Sequence, residues 1–571
     1  MFGFSSFGVD PLAQGYGPGV PSAFQSLITS RNGAGAYLVE IDAYAGGDVR
    51  LGGVGLIGGG VLGETSLGDT APDDGTDTAS GLLTLRWSDT GWCGTPTDVD
   101  RANVLYEPRI SSALSVERRI GIAPEQSPRI ARQIGAITFN NADGAFDNAT
   151  TAWAVDGRAA RVYFGPVAGS FDDFGLIAEL LGTGWEIGLT RAELTVRDRR
   201  YSLDTPLQST LYAGTGDAEG GADLEGKPRP VCYGKNLNIA PVLVDAVNLI
   251  YEFHVRQGQE IDAVYDQGLA LTDSTTRVAS FSALQGQAVS AGEFAGALTA
   301  DGSYIKLGSS PAGLITADVR GDATGSYVDT IDTICIRILE TEGALDPTVI
   351  NSGSWAGLVA TGGTIGIYLD QLEVPTTGEV IDALVQSVGG FWGAGRDGRI
   401  RAGRLTAPED RAPIFFFQEY DILELRPDRT PIPRYRQRVG YQRRFVTQVE
   451  DIAGAVTDAR KGFLAEPYSV VSSADTSIRV RHLEALDPPP LVSYYDSESD
   501  AQTLADDLLA LHKVDRQQVE IRVKRFGYLF DLGQVVSVTH GRLGLSGGKR
   551  FVITGIREEA ERDEQIISLW G

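Results

Sequence analysis

A chain of 571 residues that sets 49 Lys and Arg against 75 Asp and Glu carries a formal charge of −26. Phosphate binding needs clustered cations, so this balance argues against a protein that wraps nucleic acid; it suits a soluble surface or a channel wall that must not retain DNA. The length allows roughly three or four domains, and 71 Gly with 22% charged residues favours turn-rich β structure over long helices.

Cys93, Cys232 and Cys335 are far apart and form no CxxC, which excludes a zinc ribbon or a four-thiolate iron–sulfur site on this chain alone and makes a disulfide scaffold improbable. The N-terminal stretch MFGFSSFGVDPLAQGYG has no basic region followed by an apolar run, so it does not read as a signal peptide. The apolar run from Leu51 to Gly63 is too short and Gly-rich to span a bilayer. Synthesis and folding in a cytoplasm are expected.

Residues 1–34 read as a docking arm. Phe2, Phe4, Phe7, Tyr16 and Phe24 sit among Gly, Ser and Pro without a steady period, and such aromatics cover themselves on a neighbour rather than stay exposed. Tyr37, Val39, Ile41 and Ala43 then alternate as a strand, opening an N-terminal β region over 35–150. Gly46 to Ser80 is a Gly/Asp/Thr-rich loop, Leu82 to Trp87 resumes a strand, and residues 134–148 pair a strand with a turn at Asn141, Asp143 and Gly144.

The stretch from Asp156 to Leu207 carries the clearest pattern. Ala160, Val162 and Phe164 alternate with Arg161 and Tyr163, and Ala192, Leu194 and Val196 with Glu193, Thr195 and Arg197. A period of two sends one set to a core and the other outward, predicting a half-buried antiparallel sheet. We assign 151–267 to a first barrel and an extended, packed crossover, and 268–327 to a small inserted β region.

An α+β domain is expected over 328–415. Val328, Ile331, Cys335 and Ile338 follow helical spacing; a second helix at about Thr377–Val388 is capped by Thr376 and Glu379 and stopped by Gly389-Gly390; a hairpin turns at Asp397-Gly398. Residues 416–571 are expected to form a second barrel with one capped helix. Ser499 and Gln502 make its box and Leu504, Leu508 and Leu511 its apolar stripe. Val519, Ile521 and Val523 alternate in a strand, and strands at Gln534–Thr539, Phe551–Ile556 and Gln565–Trp570 complete a meander.

Little in the chain points to catalysis. Gly53, Gly55 and Gly58 spell GxGxxG, but loop rather than a helix follows, so a nucleotide site is not expected. His254, His482, His512 and His540 fall in no ligand spacing, and His512 is read as a surface or C-capping residue. Carboxylate pairs such as Asp172-Asp173 and Asp506-Asp507 read as solvated charge. No catalytic residue, cofactor or metal is expected.

The one basic concentration is RTPIPRYRQRVGYQRRF at 429–445. Arg434, Arg436, Arg438, Arg443 and Arg444 lie there among Tyr435, Tyr441 and Phe445. A phosphate- or base-stacking surface is one reading. A subunit interface, where a planar guanidinium fork is favoured, is the preferred one. With Phe2, Phe4 and Phe7 of the arm, these residues are the candidate interface.

Five stretches together resemble a family of tail proteins of long-tailed phages and prophages: residues 106–121, 136–148, 226–254, 261–272 and 389–413, in that order. The resemblance covers roughly 100–415 and implies a tail-tip or baseplate hub. It implies two tail-tube-like barrels per chain, so that a homotrimer makes a pseudo-sixfold ring on a hexameric tube. Tube or distal tail protein, tape measure protein and a tail fibre or central tip protein would be its partners, with DNA sliding through the lumen without specific binding and no membrane span. The virion tail tip would be its location. Alternatives are a hexameric distal tail protein with extra domains, a host-glycan-binding tail adhesin, or a cell-wall hydrolase.

Overall fold

A computed structural model of the chain describes residues 21–29, 34–45, 81–121, 129–130, 134–358, 363–372, 374–428, 430–560 and 563–571. Phe2, Phe4, Phe7, Tyr16 and the Gly53–Gly55–Gly58 motif lie outside these residues. The fold is mainly β and multidomain, as the sequence leads one to expect.

Its frame is one continuous sheet built from two modules. The first comprises Gly35–Ala45, Leu82–Ser88, Ile110–Gly121, Ile134–Asn140, Ala159–Pro166, Gly175–Ile187 and Arg191–Arg197. Across the sheet they run 110–121, 134–140, 191–197, 175–187, 159–166, 35–45, 82–88. The second comprises Phe415–Phe417, Ile422–Pro427, Gln518–Lys524, Val535–Val538, Lys549–Glu559 and Glu564–Trp570. Here the order is 422–427, 518–524, 564–570, 549–559, 535–538, 415–417. With the 82–88 strand set aside, both modules arrange six strands in the same permutation of chain order. They differ at the last pairing, antiparallel between 35–45 and 159–166 but parallel between 415–417 and 535–538.

Period-two patterning explains the cores. Ala160, Val162, Phe164, Ala192, Leu194 and Val196 are all buried in the first module with Trp87, Phe139 and Phe146. Val519, Ile521 and Val523 are buried in the second with Phe417, Phe551 and Trp570. The segment read as an aperiodic arm contributes a helix, Ser22–Thr29, in which Phe24, Leu27 and Ile28 at i, i+3 and i+4 face inward. Gly175 leaves room for it: a Cβ there would lie 2.8 Å from the Phe24 ring.

Two large segments interrupt the repeat. Five-stranded sheets of order 269–270, 258–266, 315–322, 231–239, 366–369 and 242–245, 250–254, 302–307, 293–299, 272–278 enclose a shared core containing Phe253, Ile261, Phe294 and Ile305. These sheets begin at Val231, upstream of residue 268 where the sequence reading opens the insert. The 231–239 strand is buried on both faces except at Lys235 and Leu237, so it shows no alternation, and its Gly/Pro flank gave the impression of a crossover.

The other segment is helical. Ile331–Thr341, Thr377–Ser387 and Glu498–His512 share a core with the Gly390–Ala394/Ile400–Arg404 hairpin and a three-stranded sheet of 469–474, 436–441 and 491–492. The capping box is present: the Thr376 N–H donates to Glu379 Oε2 at 2.8 Å, and the Glu379 N–H to the Thr376 hydroxyl at 3.3 Å. The hairpin turns at Asp397-Gly398 as expected. Two details are corrected. The last helix starts after Ser497, which makes no side-chain cap, so Ser499 and Gln502 lie inside it and Gln502 bonds Asp506 instead. Leu504 and Leu508 of this last helix share the helical core with Leu384 and Val385, whereas Leu511 lies in the core of the C-terminal sheet, so the helix bridges the two. Among the described residues no helix is long and apolar enough to cross a membrane.

Candidate functional site at the junction of the two modules

One strand joins the modules. The first half of Lys549–Glu559 pairs with Val535–Val538, from Val552↔Val535 to Lys549↔Val538. Its second half pairs with the first module, from Gly555↔Arg119 to Glu559↔Ser115. The register against Glu564–Trp570 shifts between Ile553 and Gly555, a bulge that lets one strand change neighbours. Gly555 fits closely here: a Cβ would lie 3.0–3.1 Å from the Ser568 side chain and 3.4 Å from Arg119 Cγ.

Beneath this joint lies a buried set of charges. Arg396, at the tip of the 390–404 hairpin, donates from Nε to the Phe530 carbonyl at 2.9 Å and from Nη2 to that of Gly527 at 2.6 Å, both in the second module. Its Nη1 donates to the Ile177 carbonyl of the first module at 3.0 Å and is paired with the Glu558 carboxylate. Arg118 of the first module pairs with Asp531 of the second, and Arg401 approaches the same carboxylate at 3.6 Å. Arg401 also holds Asp397 at 2.6 Å. Three guanidinium groups thus meet three carboxylates, which is what makes charge tolerable away from water.

Burial alone would raise the Asp531 carboxyl; Arg118, Arg401 and Arg396 outweigh it and hold it below the ordinary range. Arg118 is lowered, because burial exceeds the help it receives from Asp531. Nearby, the Tyr37 and Tyr528 hydroxyls are 2.9 Å apart, one from each module, and burial keeps both phenols protonated well beyond neutral pH. The Ser22–Thr29 helix packs over the Ala159–Pro166 strand and the Phe526–Leu529 turn, so it too ties one module to the other. Such an arrangement fixes the orientation of one module on the other.

The described residues of the candidate interface stand away from this junction. Arg434 and Arg444 are buried within the helical region; Arg444 donates to the carbonyls of Phe463 and Glu466 at 3.0 and 2.8 Å. Arg436 and Arg438 share Asp487 at 3.2 and 3.0 Å. Tyr441 is half-buried, and Arg443 is exposed with its Nη1 2.8 Å from the Tyr494 hydroxyl. His512 is half-buried at the last position of its helix; it lies against Trp570, ring centroids 6.2 Å apart, and burial with Arg434 and Arg516 lowers it to about 3. His254 is fully buried, accepting at Nδ1 from the Cys232 N–H at 3.1 Å. Among the described residues no group of His, Cys, Asp and Glu is placed to hold a metal.

One signal for the junction was present. Leu114, Val116, Arg118 and Ile120 all occupy the inward register of their strand, so an arginine stands where the pattern demands an apolar residue. Arg396, Asp531 and Glu558 carried no comparable mark.

No family model and no curated protein matches the chain in sequence. Tail proteins are among the solved structures it is similar to. A tail protein from Neisseria meningitidis is 10% identical over 80% of this chain and 97% of its own, with a TM-score of 0.34. A prophage tail protein from Listeria monocytogenes is 7% identical over 82% and 90%, also at 0.34. A chain of a native gene transfer agent virion is 15% identical over 65% and 91%, at 0.37. Likeness of that degree leaves the function to this chain's own residues.

Proposed function

We propose that the chain is a non-enzymatic structural protein of a phage-type tail: a tail-tip hub that closes on itself as a trimer and continues the tail tube. The observation that carries this reading is the repeated strand order. A chain with two equivalent sheet modules offers six modules per threefold ring, the number needed to seat on a sixfold tube.

The joint inside the chain also supplies a template for the joint between chains. Within the chain, the 110–121 strand of the first module pairs with the second half of 549–559 in the second. The equivalent partners are 422–427 and the second half of 175–187. Ile422–Pro427 ends the sheet path, and beyond Leu181 no described strand extends the pairing that Ala159–Pro166 makes with the first half of 175–187. Repeating the contact head to tail uses both edges, and three copies close the ring.

The outward face of the sheet is a ladder of both signs. Arg522 reaches Glu564 at 3.0 Å and Glu424 at 3.4 Å, while Arg161 reaches Asp42 at 2.9 Å and Glu179 at 3.5 Å. A bore lined this way would let tape measure protein and DNA slide past without holding them. Distal tail protein above and a fibre or central tip protein below would be its neighbours.

Mass photometry of the purified protein is expected to give about three times the 60.9 kDa of one chain. Leu423→Lys, at a position 52% exposed on the edge strand, is expected to return it to monomers. Six copies would favour the distal tail alternative, and a wild-type monomer at micromolar concentration would defeat the ring. The adhesin alternative needs exposed aromatic platforms away from the ring. The exposed large apolar residues described in the inserted sheets are instead aliphatic: Leu243, Val247, Leu269 and Leu314.

A further inference from the structure

The arginine-rich stretch also borders a pocket. Between the 436–441 strand, the 488–492 segment and the end of the Glu498–His512 helix lies a pocket of about 340 Å³. Arg434 and Arg443 both line it, with His512 at the end of the helix and Pro488–Val492 as an apolar wall.

Arg434 is 94% buried, since only 6% of its surface is exposed. Its Nη1 donates to Gln437 Oε1 at 2.7 Å, and the Gln437 amide is itself fixed by donating to the Arg438 carbonyl at 3.0 Å. Among the described residues that is the one side-chain hydrogen bond of Arg434. No described carboxylate lies within ion-pair distance of Arg434 or of Arg443, although Arg436 and Arg438, a few residues away, share Asp487. Arg443 is held for display, its guanidinium 5.2 Å from the centroids of both Phe445 and Tyr494.

A buried guanidinium without a counter-charge is costly, and in a chain of net charge −26 it is out of keeping with its surroundings. Burial alone lowers Arg434 to about 10, the mark of a cation that the protein itself leaves uncompensated. Arg434 lines the pocket, and among the described residues none accepts a hydrogen bond from its Nε or Nη2.

We propose that this pocket is a binding site for a small ligand bearing an oxyanion, carboxylate or phosphate, on an apolar body. Arg434 takes the anion at the base, Arg443 closes over it at the rim, and Pro488–Val492 covers the carbon skeleton. The inference is independent of the tail reading.

Isothermal titration with benzoate and with inorganic phosphate, each against chloride at matched ionic strength, tests it. Saturable binding of either probe at one per chain is expected, and which probe binds tells whether the natural group is a carboxylate or a phosphate. Arg443→Gln should weaken binding about 10-fold and Arg434→Gln about 10- to 100-fold, as expected for losing a charged hydrogen-bond donor. Should Arg434→Gln fail to fold, the exposed Arg443 variant decides. Heats no larger than those of chloride, or wild-type affinity in Arg443→Gln, would overturn the proposal.

Discussion

Replacing Arg118 with Met removes the ion pair that crosses the junction while keeping most of the side chain's volume. Arg118 and Asp531 are both largely buried, with side chains 3% and 11% exposed. Breaking a buried pair from one side costs about 3–5 kcal/mol, because the remaining charge is stranded. Two features reduce that here. Asp531 keeps Arg401 at 3.6 Å and an N–H from Leu532 at 2.9 Å, and Arg118 Nη2 is itself buried without a partner, so its loss is a relief. About 2–4 kcal/mol is the expected cost. It should appear locally, in hydrogen exchange of the amides that pair Gly555–Glu559 with Ser115–Arg119, as protection lower by about 30- to 700-fold at one decade per about 1.4 kcal/mol. Amides between Val535–Val538 and Lys549–Val552 should change less. Acid works in the same direction in the wild type. The Asp531 carboxyl is depressed in the fold, so its contribution is present above the unfolded value near 4 and is lost as pH falls through the folded one. Unchanged exchange at Gly555–Glu559 in Arg118→Met would show that backbone pairing alone holds the modules, and that the charges are incidental.

Two further outcomes are expected. Phe24→Ala empties a fully buried site under both modules, at about 3–5 kcal/mol; a thermal midpoint within a degree of wild type would mean the Ser22–Thr29 helix is not docked in solution. His512 is held neutral by burial and by Arg434 and Arg516, so its folded value lies below its unfolded one. Stability is then complete above about pH 6.5 and falls with acidification, by up to about 2 kcal/mol at pH 5. His512→Gln should flatten that slope in urea titrations at pH 7 and 5, and an identical slope would assign the acid sensitivity elsewhere.

What could be read from the sequence follows the range of the interactions involved. Ala160, Val162 and Phe164 announce a strand because burial and alternation are set within a few residues, and Thr376 with Glu379 announces a helix start because both partners lie in one turn. The order of strands is not a local quantity: 110–121 meets 549–559 across more than four hundred residues, and nothing in either segment names the other. Which segments share a core is no more local. Val439, Val471, Leu504 and Leu508 follow the 422–427 strand in the chain yet share a core with the helices at 331–341 and 377–387, while Leu511 joins the C-terminal sheet. The arginine cluster shows the opposite limit. Five guanidiniums within a dozen residues read as one surface, but the fold sends Arg444 to backbone carbonyls, gives Arg436 and Arg438 one carboxylate between them, and leaves Arg434 and Arg443 facing a pocket. Composition could signal the charge; only packing decides which of it is neutralised. The connection between the second and third strands of the shared permutation runs from 121 to 134 in the first module and from 427 to 518 in the second, so a long segment leaves the sheet at a point that local patterning does not mark.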